Sequence, residues 1–113
     1  MTADGEPRHP ALHTPACDLF GVEYPIVQTG MGWVSGASLT AATSSAGGLG
    51  ILASATMTLE ELGAAVRKVK ARTDRPFGVN LLPNQTDAAE RLELGGREEV
   101  PVVSFAAAPR PEQ

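Results

Sequence analysis

The chain has 113 residues, of which 42% are hydrophobic and 19% charged, and its formal net charge is -4. A chain of this length has room for one domain at most, which excludes a two-domain organisation. The only cluster of basic residues lies between Arg67 and Arg72, so the sequence offers no electrostatic surface for nucleic acid.

The sequence predicts neither a membrane span nor export. No charged residue occurs from Tyr24 to Leu59, but glycines and polar side chains interrupt this stretch too often for a membrane helix. Cys17 is the single cysteine, and the first residues lack the basic-then-apolar order of a secretory signal. A cytoplasmic protein that does not associate with membranes is therefore expected.

Strand and helix signals alternate along the chain after a proline-rich start, and residues 1–16 are predicted to be a flexible tail. A first helix is predicted to begin at a Ser38 cap and end at Ala46, followed by Gly47 in a left-handed conformation. A second begins after Thr58, where Glu61 completes a capping box. A third is predicted from Asp87 to Leu94 and is closed by Gly95 and Gly96. Strands are predicted over residues 26–28, 48–52, 76–81 and 100–105.

The predicted order is β-α-β-α-β-α-β, with about 25 residues from one strand to the next. This period is typical of right-handed βα units in a parallel α/β sheet. An open doubly wound sheet and a (β/α)8 barrel share the pattern. Length alone slightly favours the open sheet, because four strands cannot close a barrel of eight.

Two features follow directly after predicted strands. The turn Gly30-Met31-Gly32 would let a ligand approach the backbone closely, although a plain tight turn explains an isolated pair of glycines more often. Asn80 ends the third strand, where its amide could bind a heterocycle or tie down the next loop. We expect both features to lie together at the carboxyl ends of adjacent parallel strands.

Other candidate sites are weaker. His9 and His13 lie in the proline-rich start without a third ligand and predict no metal site. Cys17 has no basic neighbour that would activate its thiol. The glycines from Gly47 to Gly50 do not have the spacing of a dinucleotide-binding fingerprint.

Four blocks of the sequence resemble the opening of nitronate monooxygenases. They are PIVQTGMGWVSG (25–36), SSAGGLGILASATMT (44–58), KVKARTDRPFGVNL (68–81) and VPVVSFAAAP (100–109). The resemblance implies an FMN-dependent (β/α)8 barrel, also called a TIM barrel, of which residues 17–113 would be a partial, truncated domain. It also implies that Gly30, Met31, Gly32 and Asn80 contact the flavin.

The resemblance further implies an oxidoreductase that oxidises a nitronate, a nitroalkane or a similar carbon acid, a small-molecule substrate. The alternatives are a related flavin enzyme acting on acyl thioesters, in an enoyl reductase or steroid-ring CoA dehydrogenase branch, or an inactive fragment. The Trp33 that follows the turn looks nearer to the thioester branches. The family's catalytic histidine would come after Gln113, so no catalytic residue is assigned here. The 113-residue chain alone is expected to be inactive, and a homo-oligomer is compatible with the resemblance.

Overall fold

A computed structural model describes residues 9–113 of the chain. Its four strands form one parallel sheet in the order β1-β2-β3-β4, so each strand pairs with the next one in sequence. Helices alternate with the strands, as the spacing predicted. In chain order the elements are α1 (Pro15–Phe20), β1 (Val27–Gln28), α2 (Ala37–Ser45), β2 (Leu49–Ala53), α3 (Leu59–Arg72), β3 (Phe77–Leu81), α4 (Ala88–Arg97) and β4 (Val102–Phe105).

The two faces of the sheet differ because side chains alternate along each strand. One face packs against the helices and forms the main core. The core residues from the strands are Leu52, Phe77, Val79 and Leu81, and α3 adds Leu62, Val66 and Val69. Leu49, Ile51 and Ala53 alternate to the opposite face, which we call the inner face. The strand register places Asn80 and Ser104 on the inner face beside Ala53.

Gly50 allows α2 to lie directly on the sheet. A Cβ atom at this position would lie 2.2 Å from the carbonyl oxygen of Thr40, which is far inside any allowed contact. Thr40 itself is completely buried. The charge-free stretch of the sequence therefore contains α2 and β2 in close contact, and small residues make that contact possible.

The capping box predicted at the start of α3 is confirmed. Thr58 Oγ1 accepts a hydrogen bond from the Glu61 amide at 3.1 Å, and the Glu61 carboxylate accepts one from the Thr58 amide at 2.9 Å. Hydrogen bonding from Thr58 lowers the pKa of the Glu61 carboxyl below its ordinary value. The two bonds of the capping box satisfy two of the amides that the first turn of a helix leaves without partners.

Two predicted helix ends are wrong. The residue before α2 is Gly36, and Ser38 lies inside that helix with no capping role. Gly95 and Gly96 do not close α4, which continues through them to Arg97, and the chain leaves the helix at Glu99 with a φ of 57°. The prediction that Gly47 adopts a left-handed conformation is confirmed by its φ of 107°.

The N-terminal region contains more structure than predicted. Residues 1–8 of the predicted tail lie outside the described residues. Within residues 9–16, Pro10–Leu12 form a 3-10 turn and α1 begins at Pro15. A proline at the first position of a helix is favourable because its missing amide would have no partner there. These prolines predicted a tail, whereas Pro15 is the first residue of a helix.

Candidate functional site

The turn after β1 crosses the carboxyl end of β2 and reaches β3. A Cβ atom on Gly30 would lie 2.8 Å from Asn80 Cβ and 3.3 Å from Ala53 Cα, so only glycine fits there without displacement. The turn and Asn80 therefore do lie together at the carboxyl ends of parallel strands. The expectation that their strands are adjacent is wrong, because β2 lies between β1 and β3. The chain at Gly30 passes over the end of β2 and reaches Asn80.

Asn80 is held by two serines, one directly after β2 and one in β4. Its side-chain amide donates to Ser104 Oγ at 2.9 Å, and its backbone carbonyl accepts a hydrogen bond from Ser54 Oγ at 2.6 Å. Ser54 is completely buried at the end of β2, whereas Asn80 is half-buried. The side chain thus has a defined position while part of it faces open space.

Ser35 fixes the shape of the turn through the hydrogen bonds of its hydroxyl group. Its hydroxyl accepts hydrogen bonds from the Met31 amide at 2.9 Å and from Gln28 Nε2 at 3.0 Å, and it donates to the Thr29 carbonyl at 3.2 Å. Gln28 Nε2 also donates to the Ile51 carbonyl at 3.1 Å, which ties the turn to β2. Because Ser35 is only 1% exposed, these bonds do not compete with water.

The outer part of the turn is apolar and exposed. Met31 is 41% exposed, Val34 61% and Trp33 91%. Trp33 has a φ of 61°, a conformation that is costly for a bulky side chain. Its amide donates to Thr56 Oγ1 at 3.3 Å, and a Cβ on Gly32 would lie 3.0 Å from Thr56 Cγ2. The loop after β2 therefore supports the turn at Gly32 and Trp33.

The loop after β2 is anchored by hydrogen bonds from a buried arginine. Arg91 on α4 is 5% exposed and donates to the carbonyls of Ser54 and Met57, the latter at 2.7 Å. It also pairs with Asp87 at 2.9 Å, and this hydrogen bond lowers the pKa of the Asp87 carboxyl. The guanidinium is thus matched by two carbonyls and a carboxylate, as a buried charge requires.

The site is lined by neutral groups and one carboxylate, that of Glu61. A cavity of about 190 Å³ opens beside the turn. Its lining residues are Trp33, Ser35, Gly36, Ala53, Thr56, Met57 and Glu61. Among residues 9–113 no cluster of histidine, cysteine and acidic side chains could hold a metal ion, and no helix is long and apolar enough to cross a membrane.

Gly30, Met31, Gly32 and Asn80 were predicted from the sequence as site residues, whereas the residues that hold them were not predicted. Ser35, Ser54, Thr56, Ser104 and Arg91 carry no motif of their own. Strand alternation offered one usable signal, because Ser104 is the next-to-last residue of β4 and Asn80 is the next-to-last residue of β3. Nothing in the sequence pattern pointed to Arg91, which lies on a helix with polar neighbours.

Fold and site together define the first four strands of a (β/α)8 barrel with the three helices between them, and polar groups gather at the carboxyl ends of the strands. Among solved barrel enzymes, FabK from Thermotoga maritima superimposes with a TM-score of 0.82 at 40% identity, over 85% of this chain and 31% of that one. A nitroalkane oxidase from Streptomyces ansochromogenes gives a TM-score of 0.67 at 31% identity, over 79% and 35%. The predicted barrel portion is confirmed, and the slight preference for an open sheet is wrong.

The sequence profile of the nitronate monooxygenase family matches residues 13–101, and the chain belongs to this family of oxidoreductase enzymes. It is 64% identical over 99 residues to a protein of Mycobacterium tuberculosis named (3aS,4S,5R,7aS)-5-hydroxy-7a-methyl-1-oxo-octahydro-1H-indene-4-carboxyl-CoA dehydrogenase, covering 88% of this chain. It is 45% identical over 74 residues to a nitronate monooxygenase of Pseudomonas aeruginosa, covering 63% of this chain. The chain spans 28% and 21% of these relatives.

Proposed function

We propose that this chain supplies one wall of the flavin site in an FMN-dependent oxidoreductase that acts on a carbon acid. The observation that carries the proposal is the close approach of Gly30 to Asn80 at the carboxyl ends of the strands. Ligands of parallel α/β proteins bind at this edge of the sheet. Family membership supports a redox cofactor as the ligand, and the sequence resemblance supports FMN as that cofactor.

The residues present fit such a group. Gly30 lacks the Cβ that would fill the space beside Asn80, and the half-buried Asn80 amide offers donors and an acceptor to a planar heterocycle. Met31 and Trp33 add exposed apolar surface on the same turn. These residues would hold the neutral ring system, and none of them offers a cation for the phosphate.

Each part of the turn has a distinct task in this proposal. When bound, FMN would supply the electron acceptor for oxidation of the carbon acid, with oxygen or another compound as the final acceptor. The protein's task is to orient the ring and exclude water. Ser35 and Thr56 keep the turn in one conformation, and Asn80 provides a directional hydrogen bond beside it.

Two substrate classes follow from the relatives. A nitronate or nitroalkane is the substrate that the family's name suggests. A coenzyme A thioester is the second candidate, and it is favoured by the higher identity to two relatives named as CoA dehydrogenases, 64% and 56%, against 45% for the nitronate monooxygenase. A nitroalkane and an acyl thioester each carry an acidic C–H next to an electron-withdrawing group, and a nitronate is the anion that a nitroalkane leaves on losing that proton. One flavin site therefore suits either class.

The test expresses the complete open reading frame that encodes this chain and identifies the cofactor released on denaturation. The proposal expects stoichiometric FMN and turnover of one of two substrates, a simple alkyl nitronate or an alicyclic acyl-CoA. Turnover of the acyl-CoA alone would assign the second candidate. A purified protein that neither contains FMN nor binds added FMN would refute the proposal.

A further inference from the structure

Ser104 lies beside Asn80 on the inner face, across the β3–β4 pair. The register pairs these two residues directly, and Ser104 Oγ accepts a hydrogen bond of 2.9 Å from Asn80 Nδ2. Both residues are half-buried. Because the two residues are register partners on one face of the sheet, this bond restrains the Asn80 side chain without displacing either strand.

The bond leaves specific hydrogen-bonding capacity unused. An asparagine amide has two N–H donors and one acceptor oxygen. One N–H goes to Ser104, and within residues 9–113 no hydrogen bond reaches Asn80 Oδ1. The Ser54 hydroxyl meanwhile fixes the Asn80 backbone. The acceptor Oδ1 and one N–H therefore remain for a ligand.

From this geometry we infer that Ser104 is a positioning residue for flavin binding: it fixes the Asn80 amide so that Oδ1 can accept a hydrogen bond from an N–H group of the planar ring. This inference rests on the proposed FMN site. Without Ser104 the terminal torsion of Asn80 has two broad orientations related by a half-turn, and only one of them presents the oxygen where the N–H requires it.

The test measures the FMN dissociation constant of the protein from the complete open reading frame by fluorescence quenching. Ser104→Ala is expected to weaken FMN binding by about 2- to 12-fold, the range of one neutral hydrogen bond, and Ser104→Thr is expected to keep wild-type affinity because it retains the hydroxyl. Ser45→Ala is the matched control, since Ser45 is exposed at the end of α2, remote from the carboxyl ends of the strands.

A double variant separates positioning from a general structural effect. In an Asn80→Leu background, Ser104→Ala should change FMN affinity by less than about twofold, because no amide remains to be positioned. In the ligand-free protein, Ser104→Ala should shift the side-chain amide resonance of Asn80 and speed its hydrogen exchange. This second readout reports on the Asn80–Ser104 bond without any flavin.

The outcomes distinguish the two proposals. Unchanged FMN affinity in Ser104→Ala, or an equal loss with and without Asn80, would overturn the role of Ser104 and leave the FMN site standing. Absence of FMN binding in the wild-type protein would overturn both.

Discussion

Replacing Gly30 by alanine tests the close approach on which the site is built. The new Cβ would lie 2.8 Å from Asn80 Cβ, whereas carbon atoms normally meet at about 3.5–4.0 Å, so roughly 1 Å of separation must be gained. Neither neighbour can move alone, because Asn80 Cβ is bonded to the β3 backbone and the other contact, at 3.3 Å, is Ala53 Cα of β2. The turn itself must therefore shift away from Asn80.

An overpacked contact of this kind costs about 1–3 kcal/mol. We expect Gly30→Ala to lower the unfolding free energy by this amount in urea denaturation, and to weaken FMN binding because the turn no longer lies beside Asn80. Gly96→Ala is the matched control. Gly96 has no atom within 4 Å of a new Cβ, and it is exposed in the last turn of α4, where alanine is favourable. Equal stability and equal FMN affinity of the two variants would refute the reasoning.

Three further changes test the fold that supports the site. Gly50→Ala should cost at least about 3 kcal/mol of stability, because the new Cβ would lie 2.2 Å from the Thr40 carbonyl oxygen on the α2 backbone; a midpoint of urea unfolding near wild type would contradict the packing. Thr58→Ala should cost about 1 kcal/mol through loss of the α3 cap, measured in the same way, and no loss would show that the cap contributes nothing. Asp87→Asn should lower stability above pH 3.8, the ordinary carboxyl pKa, and converge with wild type as the pH falls through the lowered folded-state pKa, because only the ionised carboxyl pairs with Arg91. Stability curves that stay parallel down to low pH would rule out that ion pair.

The alternation of strands and helices could be predicted because each element carries a local signal. Thr58 and Glu61 form a complete cap within four residues, and the third strand is apolar apart from Asn80. Helix ends were harder to predict. Gly95 and Gly96 have the chemistry of a helix stop, yet α4 continues through them, and the chain turns at Glu99 before the next strand. Tertiary packing outweighs the helix propensity of two glycines, which differs from that of alanine by about 1 kcal/mol each.

Only part of the candidate site could be predicted from the sequence. Gly30 follows β1 and Asn80 lies near the carboxyl end of β3, and parallel topology brings strand ends together whatever lies between them. The register decides which polar side chains share a face, and a single sequence does not reveal it for strands as short as Val27–Gln28. Ser104 and Arg91 act through partners 24 and 37 residues away, so no local pattern marks them.

The most direct measurement of the central claim is a crystal structure of the protein from the complete open reading frame with FMN bound. The account predicts that the flavin ring lies along Gly30-Met31-Gly32 with a ring atom within hydrogen-bond distance of the Asn80 amide. A flavin ring bound elsewhere, or one that leaves Asn80 without a contact, would contradict it.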